Sequence, residues 1–310
     1  MEAPFHAEVA DAPPGARARW IETADGLRLR AVFWPGGGRG TALVLPGRTE
    51  YAEKYGRVAR ALVARGLSVT VIDWRGQGLS DRAAGAGKLG HIGDFAEYQR
   101  DLAALLTAPD LAAMPGPRIM VAHSMGGCVG LRALMEGGDF AGAVLSAPMW
   151  GLALSQPTYG VVGVVARGGR VLRLGTRRMP GTPRNGPPDP AGFGANALTS
   201  DPEQYAWAAA QTRAHPDLAL GSPSIGWTAA ALREMARLAA APMPGLPLLG
   251  LVGDAERVVS APVIARRLAM APDGFLLHCP GGRHELFLET PAIQAPVWRA
   301  VDDFLARVIP

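Results

Sequence analysis

Lysine is almost missing from this chain. Of 31 basic residues only Lys54 and Lys88 are lysines, and the arginines are scattered with no long basic run. That distribution argues against a nucleic-acid tail, although the formal net charge is +4 and the sequence pI about 9.4. Cysteine is scarce as well. Cys128 and Cys279 are too few for a disulfide framework or a zinc site, and both are expected as buried thiols. No stretch approaches the roughly 18 apolar residues of a membrane span. The opening segment, MEAPFHAEVADAPPGARARW, has acids near its start and no apolar run, so it does not read as a secretory signal. The chain is expected to be soluble and cytoplasmic, with contact at a membrane surface left open. Charged residues make up only 19% and hydrophobic ones 48% of 310 residues. That balance disfavours disorder and suits a large domain with a sizeable core.

The hydrophobic pattern sets the architecture. RARWIETADGLRLRAVFWP alternates around Asp25-Gly26, a hairpin signal. Then TALVLP, LSVTVIDW, RIMVAH and GAVLSAP read as short buried strands. Between them Tyr55, Val58, Ala59, Leu62 and Val63, then Phe95, Leu102, Leu105 and Leu106, recur at helical spacing. This alternation predicts an α/β fold, a mostly parallel central sheet with helices on both faces. After Pro148 the rhythm stops. Residues 151–225 are rich in Gly and Pro, as in MPGTPRNGPPDPAGFG. So long a structureless loop is improbable inside a compact domain, so the segment reads as an inserted cap. The core is then 1–150 and 226–310. In its second part the rhythm returns with a helix at 227–240, the strand LPLLGLVG, a helix at 262–270, the strand GFLLHCP and a closing helix through VWRAVDDFLARV.

VAHSMGG places Ser124 on the turn from a strand to a helix. That is the context of a nucleophile elbow, G-x-S-x-G, with Ala122 in place of the first glycine. Alanine is tolerable there if its backbone needs no positive φ. Gly126 and Gly127 allow close helix–strand approach. A serine hydroxyl needs a base, and the base an orienting acid. On such sheets they follow in the order Ser, Asp or Glu, His, each just after a strand. Asp254 follows LPLLGLVG and His284 follows GFLLHCPGGR. Glu256 and Asp273 compete with Asp254 for the acid. Of the other histidines, His6 lies in a start read as disordered and His91 in a loop it ties down. His123 adjoins the serine, His215 lies in the insertion, and His278 is expected to be packed within a strand. Asp73 reads as a turn former before WRGQGLS. Acyl transfer also needs an oxyanion hole. Its donors are expected to be the backbone N–H groups of Met125 and, after LVLPGRTEY, of Arg48, with Gly47 allowing close approach.

The combination of LVLPGRTEYAEKYGRVARALVARGLSVTVIDWRGQGLSDR, GHIGDFAEYQRDL, VAHSMGG, LVGDAERVVS and GGRHELFLE resembles the α/β-hydrolases of the monoacylglycerol lipase and lysophospholipase L2 group. NALTSDPEQYAWAAAQTRAHPDLALGSPSIGW is similar to the cap of the lysophospholipase L2 branch. The resemblance spans residues 20–308. It implies Ser124, Asp254 and His284 as the triad and Arg48 and Met125 as oxyanion donors. It departs at Ala122, where the family usually has Gly, and at Pro46-Gly47, where it often has His-Gly. It further implies a serine hydrolase acting on a lysophospholipid or monoacylglycerol, with no cofactor and no metal. A small-ester or peptidase-like hydrolase is the alternative enzyme, and a non-catalytic hydrolase-fold binding protein the alternative class. Within the cap, Arg167, Arg170, Arg173 and Arg177 open an Arg-rich stretch that runs to Arg184. If helical, these four share one face, and that face suits contact with an anionic membrane surface. An ordinary solvated face is the simpler reading. Head group, acyl length and oligomeric state are not encoded in any of these motifs.

Overall fold

The computed structural model describes residues 1–82, 87–182 and 190–309. Residues 183–189, which include Arg184 and the middle of MPGTPRNGPPDPAGFG, lie outside the described residues. Eight strands form one sheet: β1 Arg17–Glu22, β2 Arg28–Trp34, β3 Thr41–Leu45, β4 Ser68–Ile72, β5 Arg118–His123, β6 Gly142–Ser146, β7 Leu248–Gly253 and β8 Gly274–Cys279. Their order is β1-β2-β4-β3-β5-β6-β7-β8. β1 and β2 form the antiparallel hairpin turned at Gly26, which sits at φ +78°. β2 meets β4 antiparallel, and every later pairing is parallel. The helices are α1 Ala7–Ala10, α2 Gly56–Val63, α3 Ala96–Leu106, α4 Pro109–Ala112, α5 Met125–Met135, α6 Gln156–Val171, α7 Pro202–Ala214, α8 Ile225–Ala240, α9 Ala261–Ala269 and α10 Pro291–Val308.

The strands are apolar on both faces because helices cover both. In β3, Leu43 and Leu45 join the core under α3, α5, α8 and α9, while Ala42 and Val44 join the core under α2 and α10. β5 repeats the division, with Met120 and Ala122 on the first side and Ile119 and Val121 on the second. Parallel strands point their carboxyl ends to one edge, where a site collects. Both cysteines are buried free thiols.

α6 and α7 stand between β6 and α8 in the chain. α6 packs on α8 at Gly169, where a Cβ would lie 2.6 Å from Ile225 Cγ2. α7 instead grips the N-terminal segment. Trp207 Nε1 and Gln211 Nε2 donate to the Val9 carbonyl at 3.1 and 2.9 Å. Gln211 also donates to Glu53 O and faces the Tyr51 hydroxyl at 3.0 Å.

Two histidines depart from expectation. His6 is ordered, its ring stacked on His215 with centroids 3.5 Å apart. The segment is fixed because Glu53 accepts from the His6 N–H and Arg30 donates to the Pro4 carbonyl. His278 is exposed rather than packed, because β8 ends the sheet and pairs only with β7. His91 does tie its loop down, against Ser224 Oγ at 2.8 Å. Asp73 binds Arg30 and the N–H groups of Ala52 and Leu79. Asp273 pairs with Arg307 far out on the surface. Among the described residues no helix is long and apolar enough to cross a membrane.

Candidate active site

β5 delivers Ser124 to the carboxyl edge of the sheet. The turn is sharp, and the strain falls on the serine itself, at φ 51° and ψ −116°. Ala122 lies two residues earlier, inside the strand, opposite Leu45 and Leu145. It is not among the residues with positive φ, which is why alanine serves there. Close approach is demanded on the helical side instead. A Cβ at Gly126 would lie 2.0 Å from the Leu45 carbonyl oxygen, and one at Gly127 would lie 2.6 Å from Pro148 Cβ.

Ser124 and His284 line one cavity of about 450 Å³ together with Gly47, Arg48 and His123. His284 follows β8, and its Nδ1 lies 2.7 Å from Glu256 Oε2. Asp254, expected as the acid, is corrected here: its Oδ1 accepts from the Gly281 N–H at 2.6 Å and its side chain is exposed. The reason lies in the strand. Asp254 still follows the β7 register, with its own N–H bonded to the Cys279 carbonyl, and points out beside the glycine turn. Two residues later the chain has turned inward. The Glu256 side chain is only 1% exposed, and its Oε1 accepts from Val258 N–H at 2.6 Å and Val259 N–H at 3.2 Å. Burial alone raises the pKa of this carboxyl. The hydrogen bond and charge of His284, with the two N–H groups, outweigh burial and hold it below its ordinary value.

The loop after β3 is held at almost every backbone polar group. Trp74 Nε1 donates to Pro46 O, and Gln77 Nε2 donates to Gly47 O. Gln77 Oε1 accepts from Thr49 N–H, and Glu50 Oε2 accepts from Gly47 N–H. Thr49 takes φ +70°. Among the described residues, the N–H groups of Arg48 and Met125 have no acceptor. A Cβ on Gly47 would lie 3.1 Å from Ser124 Cβ, so this loop runs against the serine. Glu50, Gln77 and Lys54 were not singled out from sequence. The polar cluster in LPGRTEYAEK was the available signal.

Beneath the cavity Lys54 Nζ joins Glu50 Oε1 at 2.8 Å to Glu285 Oε1 at 2.5 Å. The stretch between β6 and α8 reaches the same place, since Leu198 O accepts from Glu285 N–H at 2.8 Å. The loop that carries His284 is therefore braced from both sides.

His123 is buried beside His284, with ring centroids 4.7 Å apart, and its Nδ1 faces Ser146 O at 3.1 Å. Burial pushes its pKa down to about 4, the Glu50 charge opposing only in part. In an unfolded chain histidine titrates near 6.5, about the pH where protonation begins to favour unfolding. The stabilisation from keeping His123 neutral is therefore complete above roughly pH 6.5 and is lost as pH falls toward about 4. The full swing is on the order of 3 kcal/mol. Melting temperatures at pH 7 and 5 check this. Wild type should lose more than His123→Gln, and parallel losses would remove His123 as the cause.

Comparison with known proteins gives one picture. The model of the serine aminopeptidase S33 family matches residues 37–291. Lysophospholipase L2 of Escherichia coli (strain K12) is 29% identical over 283 residues, covering 86% of this chain and 80% of its own length. Monoacylglycerol lipase of Mycolicibacterium smegmatis is 31% identical over 261 residues, covering 81% and 83%. A soluble variant of monoglyceride lipase from Saccharomyces cerevisiae, solved with a substrate analog, has TM-score 0.73 at 20% identity and covers 98% of this chain and 100% of its own.

Proposed function

This chain belongs to the serine aminopeptidase S33 family of α/β-hydrolases, and from that premise we propose that it cleaves lipid-like monoacyl esters through an acyl-enzyme on Ser124. His284 takes the hydroxyl proton and later returns it to the leaving alcohol. Glu256 fixes the imidazole tautomer and balances its charge. Arg48 and Met125 N–H groups hold the oxyanion. The observation that carries this reading is that His284, hydrogen-bonded to the buried Glu256, lines the same cavity as the strained Ser124. The lining suits an acyl chain, with Met149, Leu152, Leu198, Leu220, Trp227 and Val258 around it. A lysophospholipase and a monoacylglycerol lipase among its relatives support the substrate class.

A peptidase reading is weaker on chemistry. Binding a peptide's terminal ammonium calls for a free carboxylate, and Glu50 and Glu285 are both engaged by Lys54. The test has two parts. A fluorophosphonate should label wild type but not Ser124→Ala, which separates an enzyme from a binding protein. A panel of lysophospholipids, monoacylglycerols and p-nitrophenyl esters of rising chain length then ranks substrates. Absence of labelling in active-site-intact protein overturns the proposal.

A second surface bears on how substrate arrives. The α6 helix turns Val161, Val164 and Val171 outward, with Leu172 beyond its end, all more than 60% exposed. Of the four arginines expected on one face, only Arg167 and Arg170 lie on the helix. Arg173 takes φ +57° past its end, and Arg177 N–H caps back to Leu174 O. The helix runs through Gly168 and Gly169, the latter packed so closely on Ile225 that a Cβ would not fit. We infer that this apolar face with two flanking arginines touches anionic lipid. Arg167→Glu with Arg170→Glu should weaken binding to phosphatidylglycerol vesicles about tenfold or more at low salt. Added salt should weaken wild-type binding in turn. Equal binding by variant and wild type at low salt would leave the arginines as ordinary surface charge.

A further inference from the structure

Two cationic side chains line the cavity, and they are not equivalent. Lys54 is saturated by Glu50 and Glu285. Arg48 forms no ion pair with any described residue. Its Nη2 donates to the Gly221 carbonyl at 2.6 Å, its guanidinium carbon stands 5.1 Å from the centre of the Trp227 ring, and its Nε is buried without a partner. Gly90 makes room for it: a Cβ there would lie 2.8 Å from Arg48 Nη2.

An arginine largely withdrawn from water, its Nε fully so, with no counter-charge among the described residues, is costly to the fold. Burial pushes its pKa down to about 10, and the only opposing influence is the Tyr98 phenol. It remains charged at neutral pH. The cavity thus holds a cation that no described residue compensates with an opposite charge. Its planar fork of donors matches the oxygens of a phosphate. Its position is set by chain connectivity. The backbone N–H of this same residue is the proposed oxyanion donor, so an anion at the guanidinium lies within one arginine side chain of the reacting carbonyl. In a lysophospholipid the short glycerol unit separates the ester from the phosphate by a comparable reach. A monoacylglycerol presents a neutral hydroxyl there.

We propose that the Arg48 side chain binds the phosphate of the substrate head group and selects lysophospholipids over monoacylglycerols. This rests on the ester-hydrolase reading above and adds the head-group determinant to it. Gly221 and Trp227 aim the guanidinium, the former by its hydrogen bond and the latter by the ring beneath it.

The experiment compares octanoyl lysophosphatidylglycerol with monooctanoylglycerol, both below their micelle-forming concentrations, using the full chain. Each variant is judged by the ratio of the two kcat/KM values, so any loss common to both substrates cancels. Wild type should favour the phosphate ester. Arg48→Gln should reduce the ratio at least tenfold, chiefly through KM for the phosphate ester, and Arg48→Lys should fall between them. An unchanged ratio in Arg48→Gln overturns the assignment. Should that variant not fold, wild type decides the matter. Octyl phosphate should inhibit at least tenfold more strongly than 1-octanol, and equal inhibition overturns the assignment. Hydrolysis of neither ester by wild type rejects the ester-hydrolase reading itself. Hydrolysis of both with an Arg48-independent ratio rejects only the role of Arg48.

Discussion

Ser124→Ala is expected to lower kcat for every ester by several orders of magnitude while the protein still melts cooperatively. The substitution removes one oxygen and nothing that holds the turn. Ser124 makes its structural contacts through the backbone: its N–H donates to Ser146 O, and its carbonyl accepts from Gly127 N–H and Met149 N–H. Alanine keeps all of them and inherits the same φ of 51°. His284, Glu256 and the free N–H groups of Arg48 and Met125 remain, so a small residual rate over water persists. Activity within tenfold of wild type in purified variant would reject Ser124 as the nucleophile.

Glu256→Gln is the second large expected effect, and it separates two neighbouring acids. Ionised Glu256 can only accept, so a neutral His284 carries its proton on Nδ1 and leaves Nε2 bare, as the proposed role of base toward Ser124 requires. A glutamine amide can turn its NH₂ toward Nδ1 and stabilise the opposite tautomer, which leaves no base. It also loses the negative charge that steadies the imidazolium. In the serine protease that sets the scale, the equivalent change costs on the order of 10⁴ in kcat, and a loss of about that size is expected. Asp254→Asn should cost less than about tenfold, because Asp254 supports only the Gly281 turn and an amide oxygen still accepts that N–H. The reverse ranking, with Asp254→Asn the damaging change, would restore Asp254 as the acid. Michaelis–Menten kinetics on a p-nitrophenyl ester reads both variants.

Period and turn chemistry carried most of the architecture. The strand that ends in VAHS and the helix that begins at Met125 were legible because a buried parallel strand is a short apolar run with glycine at its close approaches. His284 was legible by position, being the histidine in a loop past the last strand. The carboxylate that meets His284 was not legible, because Asp254 and Glu256 share one loop and differ only in which way the backbone has turned. That turning depends on a contact made across the sheet, Asp254 N–H to Cys279 O, which local sequence does not contain. The arginine face failed for a similar reason. Spacing assumed one helix, but α6 stops at Val171, and the following residues are claimed by α8 through Gly226 N–H to Gly175 O. His6 was misjudged because its anchors, Glu53 and His215, are far away in sequence.

The grip of α7 on the Val9 carbonyl imposes an order on biosynthesis. Trp207 and Gln211 lie 198 and 202 residues beyond their acceptor. The segment around Val9 is therefore made long before the helix that will hold it: its early partners Arg30, Glu53 and Arg57 are available first, and the α7 clasp can be added only after the first six strands and α5 are translated. Contacts of such separation close late, after the local and sheet contacts are in place. A nascent chain that has passed Ser124 but not α7 lacks the clasp on one side of the cavity and the His284 loop on the other. On the proposed mechanism, the cavity is therefore complete only near the end of translation, once β8 has been made and His284 follows it.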